Sequence, residues 1–594
     1  MRYLLSFFCF FFLVTINGQE DFLAKQYFAD GEFEKAVTFY ERLVQKNPRR
    51  TDYSEGLIAC YQQLERYEDA ENFLLKKIQE EFTFPTFYIE LGYNYRLQGL
   101  PEKASEYFQK AINALEENPN FGYSVGYRFQ KYALLDEAIA AYSKAMRLKP
   151  ELNYDFQLAR IYGEQGDVEK MFQSYLKLIY EGKSSRSNVL RNIDDFITDE
   201  QDNANNGILR KVLLQNAQKY PDILWNELLS WLFVQQKQYK SAFTQEKAIF
   251  KRTDEASLDR LKNLGEIAQE NDAIEIAKTV FSYIREKATS PGTKLNAELS
   301  LIDIELLDAN ERQLASIEKE FEGLIATYGY QSKTLQLQIA YANFLTFKRE
   351  KPAPAIDILK KGLDLPLSRF GKAYVKLALG DILVYNQRFN EALIYFSQIQ
   401  KSLKNDVIGQ DARFKVAQTS FYKGDFDWAF TQLKVLRGST SQLIANDAMQ
   451  LSLLISDNSL EDSTQTALKK YARADLLAYQ NKTQSAIDGL EDILQNHKGE
   501  KIEDEALLKQ AELLESQKKY DAAKFNYQKI IEFYASGILA DDAHFHLAQL
   551  YESKLNEPEK AKPHYEKIIY NYQDSYYFPQ ARKNFRKLRG DLIN

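Results

Sequence analysis

Residues 31–48 read GEFEKAVTFYERLVQKNP. Ala36 in this stretch is followed by Ala70, Ala104 and Ala138 at a constant interval of 34 residues. Four positions after each alanine stands a large apolar residue: Tyr40, Leu74, Phe108 and Tyr142. Working outward from Ala36, Leu23, Ala24 and Tyr27 fall on one face of a helix, and Ala36, Tyr40 and Leu43 on one face of a second. Gly31 sits at the turn between them, and Pro48 stops the second helix because it cannot extend the hydrogen-bond ladder. The small residue lets two helix backbones approach, and the aromatic fills the space beside them. A fixed interval of this length signals an array of helix pairs.

These residues resemble the tetratricopeptide repeat, a helix-turn-helix unit. The third unit carries Tyr88, Leu91, Gly92, Tyr95, Gly99, Ala104, Phe108 and Ala111. The fourth carries Val125, Gly126, Phe129, Ala138, Tyr142, Ala145 and Pro150. The second lacks the terminal proline, since Phe82 stands there. A fifth follows at a spacing of 33, with Leu158, Ala159, Tyr162, Gly166, Tyr175 and Leu178, and with Met171 in place of the packing alanine. The pattern then loosens but returns. Leu264, Gly265, Ala277 and Phe281 form one unit, and Leu379, Gly380, Ala392 and Phe396 another. Ala429, Ala486, Ala523 and Ala561 mark later ones, at spacings of 37 or 38 where units adjoin, about one extra helical turn each.

The resemblance implies an all-α fold, a right-handed superhelical solenoid of stacked antiparallel helix pairs, roughly 14 to 16 by the spacing. The expected organisation is a signal peptide over 1–18, an N-terminal array over 19–182, divergent helical repeats over 183–335 and a C-terminal array over 336–594. Residues 183–224 and 290–335 read as divergent helix pairs, the first a candidate joint, and 440–465 as a loop or lone helix. The last hundred residues or so also resemble bacterial outer-membrane assembly and cell-envelope helical-repeat proteins. The stretches are IIEFYASGILADDAHFHLAQLY and IIYNYQDSYYFPQARKNFRKLRGD, with Ala535 and Gln573 where those families usually have proline.

The chain has 594 residues, 45% of them hydrophobic and 27% charged, enough to bury a core and present a polar surface. A net charge of −7 does not make a cationic nucleic-acid surface. Thirteen Pro and 25 Gly are few for this length and favour helices over β-rich turns or disorder. The start, MRYLLSFFCFFFLVTINGQED, places Arg2 before an apolar run from Leu4 to about Val14. That is the pattern of a secretory signal peptide, cleaved after Gly18 to leave Gln19 first. Cys9 lies inside the run and not at its end, which argues against lipidation. After cleavage only Cys60 remains, so no internal disulfide can form. Export without disulfides suits the periplasm of a Gram-negative bacterium, and no later stretch is long and apolar enough for a transmembrane helix.

No catalytic set, no metal site and no cofactor site is expected. His544 and His546 are two apart on a helix and diverge by about 200°. Asp541, Asp542 and His564 could lie nearby, but a solvated helix face is the plainer reading. EGKSS (181–185) lacks the upstream glycine of a phosphate loop, since Lys177 stands there. DNANNG (202–207) has Ala204 at a ligand position and Leu213 where a calcium loop needs its bidentate Glu. Cys60 reads as a small core residue and Arg589-Gly590-Asp591 as a helix end.

What remains is surface. In the resembled family the first helix of each repeat lines a concave face. By that resemblance the groove positions are Tyr93 and Arg96 in the third unit, Tyr123, Tyr127, Gln130 and Lys131 in the fourth, and Arg160 in the fifth. Tyr and Arg are favoured anchors at interfaces. The expected function is a non-enzymatic scaffold or adaptor in the periplasm, holding a protein partner such as an outer-membrane or secretion component, with peripheral outer-membrane association. The alternative is a polysaccharide-export or glycan-binding protein that uses the aromatic groove.

Overall fold

The 34-residue interval has a direct structural cause. Ala36, Ala70 and Ala138 have no exposed surface, and Ala104 is 2% exposed. Each lies on the second helix of a pair, where it faces the first helix: Phe33–Lys46, Tyr67–Ile78, Pro101–Asn113 and Leu135–Leu148. Met171 takes the same place in Val168–Tyr180 and is equally buried. The flexible thioether takes the place of the packing alanine, its sulfur 3.0 Å from where a Cβ on Gly163 would lie.

The first helices carry a matching feature. A Cβ on Gly92 would lie 2.5 Å from the Phe108 ring, and one on Gly265 would lie 2.8 Å from Phe281. A Cβ on Gly126 would overlap Tyr142, and one on Gly380 would overlap Phe396. In all four pairs the ring stands sixteen positions after the glycine. The aromatic of the second helix thus seats directly on the backbone of the first. Burying each ring stabilises its pair by roughly 1.5–3 kcal/mol.

The turn between the two helices has its own signature. Gly31, Gly99, Gly166 and Gly424 adopt positive φ there, and so do Glu65, Ala133, Lys237, Asp272, Gln387, Asn481 and Lys518. The geometry of the hairpin therefore repeats even where the residue that suits it does not.

The computed structural model describes residues 20–80, 83–200, 202–253, 257–436, 438, 441–459 and 465–591. The leader expected over 1–18 lies outside them. Among the described residues there is no strand, and fifteen successive helix pairs and two single helices account for the architecture. The all-α, helix-pair expectation therefore holds.

The chain divides into two compact units, 1–252 and 253–594. The first holds seven pairs, beginning with the helix over 20–29. Its sixth pair, Arg186–Asp194 with Ala204–Lys219, occupies the divergent stretch. DNANNG is the entry to the latter helix. The Asn203 side chain accepts from the Asn205 and Asn206 amides, and Asn206 Nδ2 donates to the carbonyls of Thr198 and Glu200, both at 2.8 Å.

The second unit holds eight pairs, with Gln442–Ser459 and Phe578–Arg589 as its single helices. The longer spacing is taken up in the first helices. Arg369–Tyr385 and Val407–Lys423 each run 17 residues, against 12 for Thr86–Leu97 of the first unit. Within this unit the end of Thr466–Tyr479 is tied to distant turns. Tyr479 donates its hydroxyl to the Asp381 carbonyl at 3.2 Å, and Gln480 Nε2 donates to the Tyr385 carbonyl at 2.6 Å. Asn481 Nδ2 donates to the Phe347 carbonyl at 3.0 Å, across 134 residues of chain. The Phe347 ring stands edge-on to both Tyr385 and Tyr479.

Candidate partner-binding surfaces

In the first unit the seven sequence-predicted groove residues lie on, or at the ends of, three successive first helices: Thr86–Leu97, Gly122–Lys131 and Asp155–Glu164. Tyr123 and Tyr127 are exposed and stacked, their centroids 6.0 Å apart and their planes 7° from parallel. Arg96, Lys131 and Arg160 are also exposed. Tyr93 and Gln130 are half-buried and engaged within the unit. Tyr93 stacks on Tyr132 at 3.8 Å, and Gln130 accepts the Tyr142 hydroxyl proton at 2.9 Å. Lys131 lies 5.5 Å from the Tyr132 ring.

Beside these residues is a polar group that the sequence pattern did not single out. Arg128 donates one arm of its guanidinium to Glu90 and the other to Glu55. Tyr132 donates its hydroxyl to the second oxygen of Glu90 at 2.6 Å. Glu90 is 2% exposed and Arg128 8%. Burial pushes Glu90 up, and Arg128 and Tyr132 pull it back. Burial alone would depress Arg128, but Glu90 and Glu55 hold it above the ordinary arginine value. The group ties the first helices of three pairs, Thr51–Gln63, Thr86–Leu97 and Gly122–Lys131, along one line.

In the second unit a hollow of about 980 Å³ opens along the first helices of four successive pairs. They are Asp259–Glu270, Pro291–Glu305, Leu335–Phe347 and Arg369–Tyr385. Its apolar floor comes from Leu299, Leu306, Ile339, Phe347 and Leu377, with Tyr374 half exposed. The amides of Asn296, Gln336 and Asn343 line it without a hydrogen-bond partner among the described residues. Asp303 and Asp381 add carboxylates. Burial pushes both up, and Lys415, 2.8 Å from Asp381, pulls that one back. Asp303 has no such cation. Nothing in the repeat pattern points to this hollow, because 290–335 lacks the signature from which groove positions are carried over.

Cys60, the histidines and the Arg589-Gly590-Asp591 stretch take structural places. Cys60 is fully buried, and burial pushes its thiol up to about 12, so it stays protonated. His544 is 6% exposed, not on a solvated face, because its helix is sandwiched between neighbours. Its Nδ1 lies 2.9 Å from that of His564. Burial, with His564 and Lys567 adding to it, lowers His544 to about 4, and burial lowers His564 as well. The pair is therefore neutral, one ring donating and the other accepting. Arg589 ends the last helix, Gly590 takes the left-handed cap, and Asp591 pairs back to Arg589. Among the described residues no group of three or more His, Cys, Asp or Glu is placed to hold a metal ion. None of their helices is long and apolar enough to cross a membrane.

Two family models locate repeats in the chain. Residues 23–49, 505–536 and 542–575 match one tetratricopeptide repeat model, and 85–116 match a second. The chain thus carries recognisable tetratricopeptide repeats in both units, over about a fifth of its length. No curated protein matches it. Among solved structures, a chain from the structure of Naa15/Naa10 bound to HypK-THB aligns over 91% of this chain and 88% of its own, at 12% identity and a TM-score of 0.32. A chain from the crystal structure of the APC/C hetero-tetramer Cut9-Hcn1 aligns over 96% of both, at 12% identity and a TM-score of 0.25.

Proposed function

We propose that this chain is a non-enzymatic scaffold that holds an extended segment of a protein partner in the hollow of its second unit. One observation carries the reading: three unpartnered side-chain amides, Asn296 on one first helix and Gln336 and Asn343 on the next, stand above an apolar floor. An extended peptide offers alternating N–H and C=O groups, and an amide side chain can serve either. The apolar floor accepts every second side chain of such a segment. Asp303, lacking a cation, suits a Lys or Arg at one position of the partner. The exposed Tyr123–Tyr127 pair, with exposed Arg96 and Arg160 on the first helices of the preceding and following pairs, supplies a second contact patch in the first unit.

The chain is exported through the leader over 1–18 on this reading, and the partner belongs to the cell envelope, an outer-membrane or secretion component. Sequencing the mature N-terminus tests the export, with Gln19 expected first. A crosslinked pull-down from native envelopes tests the scaffold. Wild type is compared with Asn296→Ala/Asn343→Ala and with Tyr123→Ala/Tyr127→Ala. Loss of one recovered partner in the first variant, with folding intact, is the expected result. Undiminished recovery in both variants would move binding to another face.

A further inference from the structure

A second cavity lies in the first unit, away from the residues discussed so far. It measures about 390 Å³ and opens between Val168–Tyr180 and Ala204–Lys219, where the divergent sixth pair departs from regular stacking. One wall is aromatic. Tyr180 lies 5.0 Å from Tyr220 and 5.4 Å from Trp225, ring centre to ring centre, at 31° and 28°. Trp225 is 1% exposed and spends its indole N–H on the Tyr220 carbonyl at 2.8 Å, so it backs the wall without offering a polar group. Tyr180 is 42% exposed and turns ring surface to the opening. The opposite rim carries the side-chain amides of Gln173, Gln215 and Asn216. None of these amides, nor the Tyr180 or Tyr220 hydroxyl, has a hydrogen-bond partner among the described residues.

We infer that this cavity binds one unit of a neutral saccharide, its C–H face against Tyr180 and its hydroxyls on the three amides. A cavity of about 300–1,000 Å³ with an apolar wall and a few converging polar groups is the size and make-up of a small-ligand site. Each sugar hydroxyl donates and accepts, and so does each amide. Charge argues against a phosphorylated or nucleotide ligand. Of the two lysines on the rim, Lys177 is neutralised by Asp155 at 3.0 Å, and Glu181 offsets Lys219. The site is independent of the peptide reading above, since it shares no residue or unit with the hollow.

The test uses the purified chain and three neutral probes: cellotriose, maltotriose and chitotriose. Saturation-transfer NMR reads contact, and intrinsic tryptophan fluorescence, sensitive to the ring beside Trp225, reads affinity. At least one probe is expected to bind in the millimolar range or tighter. Tyr180→Phe should stay within about threefold, and Tyr180→Ala should weaken binding by tenfold or more. Gln215→Ala/Asn216→Ala, at an exposed edge, should weaken it by a similar factor and guards against a folding defect in Tyr180→Ala. No binding by any probe to folded wild type overturns the inference. So does binding that both the Ala variants leave unchanged, or adenosine competing more tightly than every sugar.

Discussion

Arg128 reaches backward along the chain to Glu90 and Glu55, one carboxylate from each of the two preceding first helices. With Tyr132 on the free oxygen of Glu90, the group satisfies its own buried charges. Removing one partner leaves the other charge buried and alone. Arg128→Ala should therefore cost about 3–5 kcal/mol. Arg66→Ala, which breaks an exposed pair with Asp69, should cost under about 1 kcal/mol. Urea unfolding followed by circular dichroism measures both.

The glycine-on-ring contact makes a second prediction. Gly380→Ala pushes a methyl into the Phe396 ring, in a helix where alanine is otherwise the better residue. Overpacking should win, with a loss of about 1–3 kcal/mol. Combining it with Phe396→Leu should recover part of that loss. Simple additivity of the two single changes in thermal unfolding would refute the steric account.

Ala133 stands at the left-handed turn position with φ +53°. A β-carbon there is strained by roughly 1–2 kcal/mol. Ala133→Gly should raise stability by about 1 kcal/mol, less what glycine adds to the entropy of the unfolded chain. The denaturation midpoint is the readout.

The His544–His564 pair sets a pH dependence. His544 titrates near 4 when folded and near its ordinary 6.5 when unfolded. Below pH 6.5 the unfolded chain binds more protons, so stability falls on acidification and levels off below about pH 4. The loss from this residue is about 3 kcal/mol. His544→Phe should flatten the profile of unfolding free energy between pH 7 and pH 4.

How much of this could be read beforehand depended on periodicity. Ala36, Ala70, Ala104 and Ala138 announced the helix pairs because one packing problem recurs with one solution. The exposed Tyr123–Tyr127 patch came with them, since its positions are fixed by register. Glu90 and Arg128 escaped because they stand 38 residues apart and pair only once the helices stack. Glu90 sits between Ile89 and Leu91, and a carboxylate between two aliphatic residues is the one signal in the sequence. The hollow over 259–385 and the cavity beside Tyr180 both lie at divergent stretches, where pattern is weakest and packing leaves room. The sequence places His544 on a solvated face, and the structure buries it, because helical geometry alone does not say which faces a neighbour covers.

The Asn481–Phe347 tie has a consequence for the birth of the chain. Helical-repeat arrays are close to nearest-neighbour systems, each unit able to fold once the next has been made. Here the turn after Phe347 waits for a donor 134 residues further on. At about 5–20 residues per second, translation delivers that donor on the order of ten seconds later. During that interval the emerging second unit is an open form whose local pairs are complete and whose long-range ties are not.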